Sequence, residues 1–297
     1  MTTYELLQRI GARTEGEVID IKRPQLVRLL AVLLLAKGKP VSEMRLTERI
    51  FDDARPGEVR TQNIQTLVSL LRAVLSDPLD KVAAGYLLKV NPERVDALRF
   101  EERVTRAREL LGTDHTEAAR LFRVALQEWG PRVEELCGPE PLPGLKGDWA
   151  EHERNTLRSQ YREALLQCLE IELESGRHER LIPELVRLSN ADETGRDHQE
   201  LARLLMLAYA RAGRVPEALS VYRRIAERKQ EMGLDVDPRL TQLYRYLINE
   251  EKATDLSPKN AESAKSGPVF GDTIQNGDHG RIYQAGSMVF HEGREDR

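Results

Sequence analysis

Arg60-Thr61-Gln62-Asn63-Ile64-Gln65-Thr66-Leu67-Val68-Ser69-Leu70-Leu71-Arg72 is the stretch on which the reading of this chain turns. Wound as a helix, it places Ile64, Leu67, Val68, Leu71 and Leu75 on one inward face. Gln62, Gln65, Ser69 and Arg72 then fall on a polar stripe at i, i+3, i+7 and i+10. Between Val59 and Ser76 there is no acid, so the outward groups are amides, hydroxyls and arginines. Such groups can hydrogen-bond base edges and phosphates. An acid-free surface helix without a ligand has the same pattern, and the flanking sequence decides between the two.

Before this stretch, Tyr4–Leu7 and Glu17–Ile21 read as short strands around a glycine-containing turn. Pro24 opens a helix, PQLVRLLAVLLLAKG, which is apolar on most sides and therefore belongs in a core. Lys37-Gly38 ends it, and Ser42 is a natural N-cap for a second helix carrying Leu46 and Ile50. The chain breaks at Asp52–Gly57, the polar-striped helix follows, and Asp77-Pro78 stops it. Val82–Val90 reads as a hairpin with a turn at Gly85. Strands, three helices and a hairpin in this order describe a winged helix-turn-helix, with the third helix for the major groove and the hairpin as the wing.

The same residues resemble a known family. KRPQLVRLLAVLLLAKGKPVSEMRLTERIF, RTQNIQTLVSLLRAVL, GYLLKV and VDALRFE are similar to the OmpR/PhoB-type DNA-binding domain of SARP-type transcriptional regulators. The resemblance implies that Gln62, Gln65, Thr66 and Ser69 read bases, that Arg60 and Arg72 hold phosphates, and that wing residues at Gly85 and Tyr86 touch the minor groove or backbone. Two positions depart from the family: Phe51 stands in place of a Trp, and Leu70 in place of an Arg. The second removes one basic contact and so weakens phosphate binding.

Residues 96–250 read as helix pairs: Ala97–Leu111 with Thr116–Trp129, then a long helix from Asp148 to Ser175. Gly176-Arg177 and Gly213-Arg214 stand 37 residues apart, near the ~34-residue period of tetratricopeptide repeats. LFRVALQEW, LESGRHERLIPEL, LLMLAYARAGRVPEALSVYRRI and MGLDVDPRLTQLYRYLI resemble the bacterial transcriptional activator domain that follows the winged helix in SARP-type regulators. The resemblance implies protein contacts there, in homo-oligomers on DNA and with RNA polymerase. The expected fold is thus mainly α: an α+β winged helix over residues 1–95, a TPR-like helical domain over 96–250, a linker over 251–267, and a disordered, β-prone tail over 268–297.

That tail alternates apolar residues with glycines, GPVFGDTIQNGDHGRIYQAGSMVFHEG, and is too short for a core. Ile274, Gln275 and Gly277 recur nine residues later as Tyr283, Gln284 and Gly286. The pieces can stack between chains as a cross-β ladder. They resemble the RHIM-like motifs of bacterial amyloid signalling, which implies a partner with a matching Gln-x-Gly motif. A signalling adaptor is therefore the alternative function.

Composition sets the outer limits. The chain has 297 residues, 40 % hydrophobic and 32 % charged, with a net charge of −4. Residues 1–95 carry 15 Lys+Arg against 12 Asp+Glu, whereas residues 96–250 carry 24 against 29. Contact with double-stranded promoter DNA, arranged as direct repeats, is expected from the first part. Cys137 and Cys168 lie far apart, with no metal-ligand spacing. No phosphate-binding glycine motif or nucleophile constellation occurs, so no cofactor, no metal and no enzymatic activity are expected. The absence of a leader-like N-terminus or a long apolar run leads to the expectation of a cytoplasmic protein without membrane contact.

Overall fold

The computed structural model describes residues 1–21, 23–51, 64–130, 139–191 and 198–255. Met1–Ile248 forms one compact unit. A second unit begins at Asn249, and of it only the last turns of the final helix are described. The expected linker starts at residue 251, but the final helix continues to Asp255; residues 256–297, including Ile274, Gln275, Gly277, Tyr283, Gln284 and Gly286, lie outside the described residues.

The fold is mainly helical, with a small antiparallel sheet at its start. Strands β1 (Thr2–Glu5), β2 (Gly11–Thr14) and β3 (Glu17–Ile19) pair in that order. Positive φ at both Glu15 (53°) and Gly16 (87°) makes the two-residue turn whose twist suits a hairpin. The sequence suggested two strands, and the structure has three. GART is too short to show alternation, which hid β2. The first strand also stops at Glu5 rather than Leu7. The N–H groups of Leu6 and Leu7 leave the ladder and donate to the Asp96 carboxylate at 2.8–3.0 Å.

Helix α1 (Pro24–Leu35) is the core of this part, with Leu29, Leu30, Val32 and Leu33 essentially sealed from solvent. Its end is set by Lys37 and Gly38, both at positive φ. Helix α2 (Glu43–Ile50) starts where Ser42 Oγ accepts the Arg45 N–H. Helix α3 (Ile64–Val74) packs on α1 and α2, and the β4–β5 hairpin (Leu79–Val82, Gly85–Leu88) follows. This is the winged helix-turn-helix arrangement. The hairpin begins three residues before the expected Val82, and its turn is at Ala83-Ala84 rather than Gly85.

A 3-10 turn (Pro92–Arg94) leads into α4 (Asp96–Glu109), which pairs with α5 (His115–Gln127). Helix α6 (Asp148–Glu174) packs on α5. Helices α7 (His178–Ala191), α8 (His198–Arg211) and α9 (Val215–Glu231) stack in succession, and α10 (Pro238–Asp255) closes the described chain. The two Gly-Arg turns are C-terminal caps of one kind. Gly176 and Gly213 sit at φ 80° and 72°, and the Arg177 and Arg214 N–H groups reach back to the carbonyls of Glu172 and Tyr209. The nearest sequence echo therefore marks a recurring helix-end geometry. Phe100, Trp129 and Tyr161 form a buried aromatic trio where α4, α6 and the end of α5 meet.

Buried polar groups fasten the strands and first helices to the later ones. Arg28, 5 % exposed, donates to the Ile50 carbonyl at 3.0 Å and the Lys146 carbonyl at 2.6 Å. Arg154 on α6 binds the carbonyls of Leu142 and Leu145, and the Leu142 N–H donates to the Leu6 carbonyl. Breaking any of these leaves a charge or an N–H stranded in the interior, so they act as rigid fasteners.

Candidate nucleic-acid interface

Of the residues expected to read DNA, Arg60 and Gln62 lie outside the described residues. The other four share one surface. On α3 the side chains of Ile64, Leu67, Val68 and Leu71 are buried, while Gln65, Thr66, Ser69 and Arg72 are exposed. Gln65, Ser69 and Arg72 fall at i, i+4 and i+7, which stacks them along one strip. Leu70 is half-buried beside that strip.

The strip is tied to the hairpin. Arg72 Nε donates to the Leu79 carbonyl at 2.7 Å, which fixes the start of β4 against the last turn of α3. Just beyond α3, Asp77 accepts two parallel hydrogen bonds from Arg94, at 2.7 and 2.6 Å, and one from the Tyr4 hydroxyl at 2.6 Å. Burial, then the hydrogen bond to Asp77, push the Tyr4 phenol well above its ordinary range. Tyr4 thus stays a neutral donor, and the end of α3 is clamped to β1 and to the approach to α4.

The two wing residues expected to touch DNA are placed differently. Tyr86 is 2 % exposed, so its ring is core and cannot lie on a groove. Its backbone exchanges two 2.8 Å hydrogen bonds with Val41. Gly85 is a strand residue at φ +131°, and a Cβ there would lie 2.0 Å from the Val41 oxygen. The glycine is required by the close approach of β5 to Val41 and Ser42, the two residues that lead into α2. The residues the hairpin does expose are Lys81, Val82, Ala83 and Ala84.

One residue that the sequence did not single out belongs to this surface. Glu43, at the first position of α2, accepts Lys81 Nζ at 3.1 Å and the Tyr86 hydroxyl at 3.2 Å on the same oxygen. The Lys81 ammonium in turn lies 5.5 Å from the Tyr86 ring centre. Lys81 and its companion donors hold the Glu43 carboxyl below the usual range, so it is ionised. In sequence an acid after an N-cap serine reads only as a helix-dipole partner; nothing local announces the lysine 38 residues away.

Among the described residues no group of three or more His, Cys, Asp or Glu is placed to hold a metal ion, and no helix is long and apolar enough to cross a membrane. Cys168 is buried and burial pushes its thiol up to about 12, which leaves it inert. Cys137 lies outside the described residues.

An exposed amide-and-hydroxyl strip on the third helix, a hairpin locked beside it and a stack of capped helix pairs define the architecture of a winged-helix regulator. Residues 95–248 match the family model described as Bacterial transcriptional activator domain. The chain belongs to that family, and the SARP-type resemblance holds. Regulatory protein AfsR of Streptomyces coelicolor is 31 % identical over 270 residues, covering 88 % of this chain and 26 % of AfsR. This chain therefore spans about a quarter of that relative's length. Regulatory protein DnrI of Streptomyces peucetius is 24 % identical, covering 80 % of this chain and 89 % of DnrI. The solved structure of Mycobacterium tuberculosis EmbR, in complex with a low affinity phosphopeptide, shares the fold with a TM-score of 0.73 at 24 % identity, over 84 % of this chain and 65 % of that one.

Proposed function

We propose that this protein is a sequence-specific transcriptional activator that binds promoter DNA through α3 and the hairpin. The observation that carries this reading is the exposed strip Gln65, Thr66, Ser69 and Arg72, which has no acid of its own and is held in register by the Arg72 bond to Leu79. Amides and hydroxyls of this kind suit base edges, and Arg72 suits a phosphate. Residues 1–95 form the DNA-binding domain in this reading, and Arg60 and Gln62 take the phosphate and base contacts that the family resemblance implies for them. Residues 96–250 mediate assembly on direct repeats and contact with RNA polymerase in the cytoplasm. The local excess of positive charge is small, so neighbouring protomers contribute to affinity.

An electrophoretic mobility shift of the full chain on the upstream region of its own operon tests this. A shift that weakens steeply with salt and is clearly weaker in Arg72→Ala is expected. No shift at any salt concentration overturns the reading.

A second reading rests on the repeated Gln-x-Gly elements of residues 268–297, carried by Gln275, Gly277, Gln284 and Gly286. Here the tail couples the chain to a partner with a matching motif. Fibrils that bind thioflavin, grown from a 266–297 peptide, support it; a peptide that stays monomeric at high concentration removes it.

A further inference from the structure

We infer that Glu43 restrains DNA binding: it holds the wing lysine Lys81 in an ion pair, so that Lys81 reaches a phosphate only by exchanging this carboxylate for it. The inference rests on the DNA-binding reading above and names what limits the affinity of that surface.

The hairpin exposes Lys81, Val82, Ala83 and Ala84, and of these Lys81 alone has a charge to offer DNA. Its ammonium is bound to Glu43 Oε1 at 3.1 Å. The other basic side chains of residues 77–94 are paired as well, Lys89 with Asp80 at 2.8 Å and Arg94 with Asp77 at 2.6 Å. The hairpin and the segment after it thus present their cations already neutralised. While the Glu43–Lys81 pair is closed, the wing displaces no counterion from a phosphate backbone.

The backbone builds this pair in. Val41 and Tyr86 exchange two 2.8 Å hydrogen bonds, which set the distance between the start of α2 and β5. Lys81 stands opposite Tyr86 in the hairpin ladder. The Tyr86 ring is buried, and its hydroxyl donates to the same Glu43 oxygen at 3.2 Å. The carboxylate is therefore fixed at the point that the Lys81 side chain reaches.

Both partners are half-exposed, Lys81 at 57 % and Glu43 at 46 %. Exposed pairs are weak and screened by salt, so a phosphate can take the place of the carboxylate. The exchange leaves an unpaired Glu43 that repels the same phosphate. Phosphate contacts carry no sequence information, so the restraint acts on all DNA alike and leaves selection to the α3 strip.

The test compares the full-length wild type, Glu43→Gln, Lys81→Ala and the double variant. Fluorescence anisotropy follows their binding to the upstream region of the operon and to a random duplex of equal length, at several salt concentrations. Glu43→Gln keeps an oxygen for the Tyr86 hydroxyl and removes the charge. It should bind both duplexes about two- to fivefold more tightly, with a salt slope steeper by about one counterion. Lys81→Ala should change wild-type affinity by less than about twofold and should abolish the gain when combined with Glu43→Gln. Unchanged or weaker binding by Glu43→Gln, or effects of the two substitutions that simply add, overturn this inference and leave the DNA-binding reading standing. Absence of binding to either duplex by all of these proteins overturns both.

Discussion

Arg72 Nε donates to the Leu79 carbonyl at 2.7 Å, so the last turn of α3 and the first residue of the hairpin are joined by one side chain. A fork of five donors allows Arg72 to hold the hairpin with Nε and still present its terminal nitrogens outward. Lysine carries the charge but has no Nε positioned to make this bond. Arg72→Lys should therefore keep the salt dependence of DNA binding and weaken affinity several-fold, whereas Arg72→Ala should also lower the salt slope by about one counterion. Titrations at several salt concentrations separate the two. Equal slopes in all three proteins would mean that Arg72 serves only the hairpin.

Gly85 is expected to be intolerant of any side chain. A Cβ would meet the Val41 carbonyl at 2.0 Å and its carbon at 2.5 Å, both backbone atoms, at φ +131°. Gly85→Ala should cost about 2–4 kcal/mol and separate the hairpin from α2. Urea unfolding measures the loss. A stability within a few tenths of a kcal/mol of wild type would show that β5 can move away from Val41.

Asp96 joins β1 to α4, and it is 5 % exposed. Burial pushes its carboxyl up to about 6, against a pull downward from the N–H groups of Leu7, Leu6 and Ala97. The folded state therefore holds this proton more tightly than the unfolded chain. Its contribution to stability is full below about pH 4 and is lost as pH rises to about 6, after which it is flat. A shift of this size corresponds to about 3 kcal/mol across that window. Asp96→Asn should flatten the stability profile between those limits in urea melts at a series of pH values. An unchanged slope would assign the pH dependence to other carboxyls.

Arg123 binds Glu172 at 2.5 Å and Glu184 at 2.7 Å and so links α5, α6 and α7. Glu172 is 6 % exposed. Its other partner, Arg177, lies 3.3 Å away. The two carboxylates hold the Arg123 guanidinium protonated even against its burial. Arg123→Met keeps the volume and strands the carboxylates, at a cost of about 3 kcal/mol. Thermal unfolding should show a clear loss, and a double variant that also carries Glu184→Gln should recover part of it. No recovery would show that the cost is one of packing.

Much of this molecule is legible locally. The apolar run of α1 has no surface to face, so it must be central. Ser42 caps α2 because its hydroxyl reaches the Arg45 N–H within one turn. Gly176 and Gly213 end helices because the cap needs positive φ. The long helix read from Asp148 to Ser175 differs by one residue from α6. On α3, the pattern of Ile64, Leu67, Val68 and Leu71 against Gln65, Thr66 and Ser69 divides inside from outside by period alone.

The main helices, their capped ends and the outward strip on α3 could be read from the linear chain, because each follows from interactions within a few residues. Tertiary structure alone decided what meets across the chain. It moved Tyr86 from the wing's surface to its core, and it made Gly85 a contact residue of Val41 rather than a turn residue. It ended β1 at Glu5 because Asp96, about 90 positions later, takes the next two N–H groups. It also brought Glu43 to Lys81 and Tyr86. Hydrogen bonds and steric exclusion act over a few ångströms in space, and no periodicity in a linear sequence encodes which distant residues come within that range.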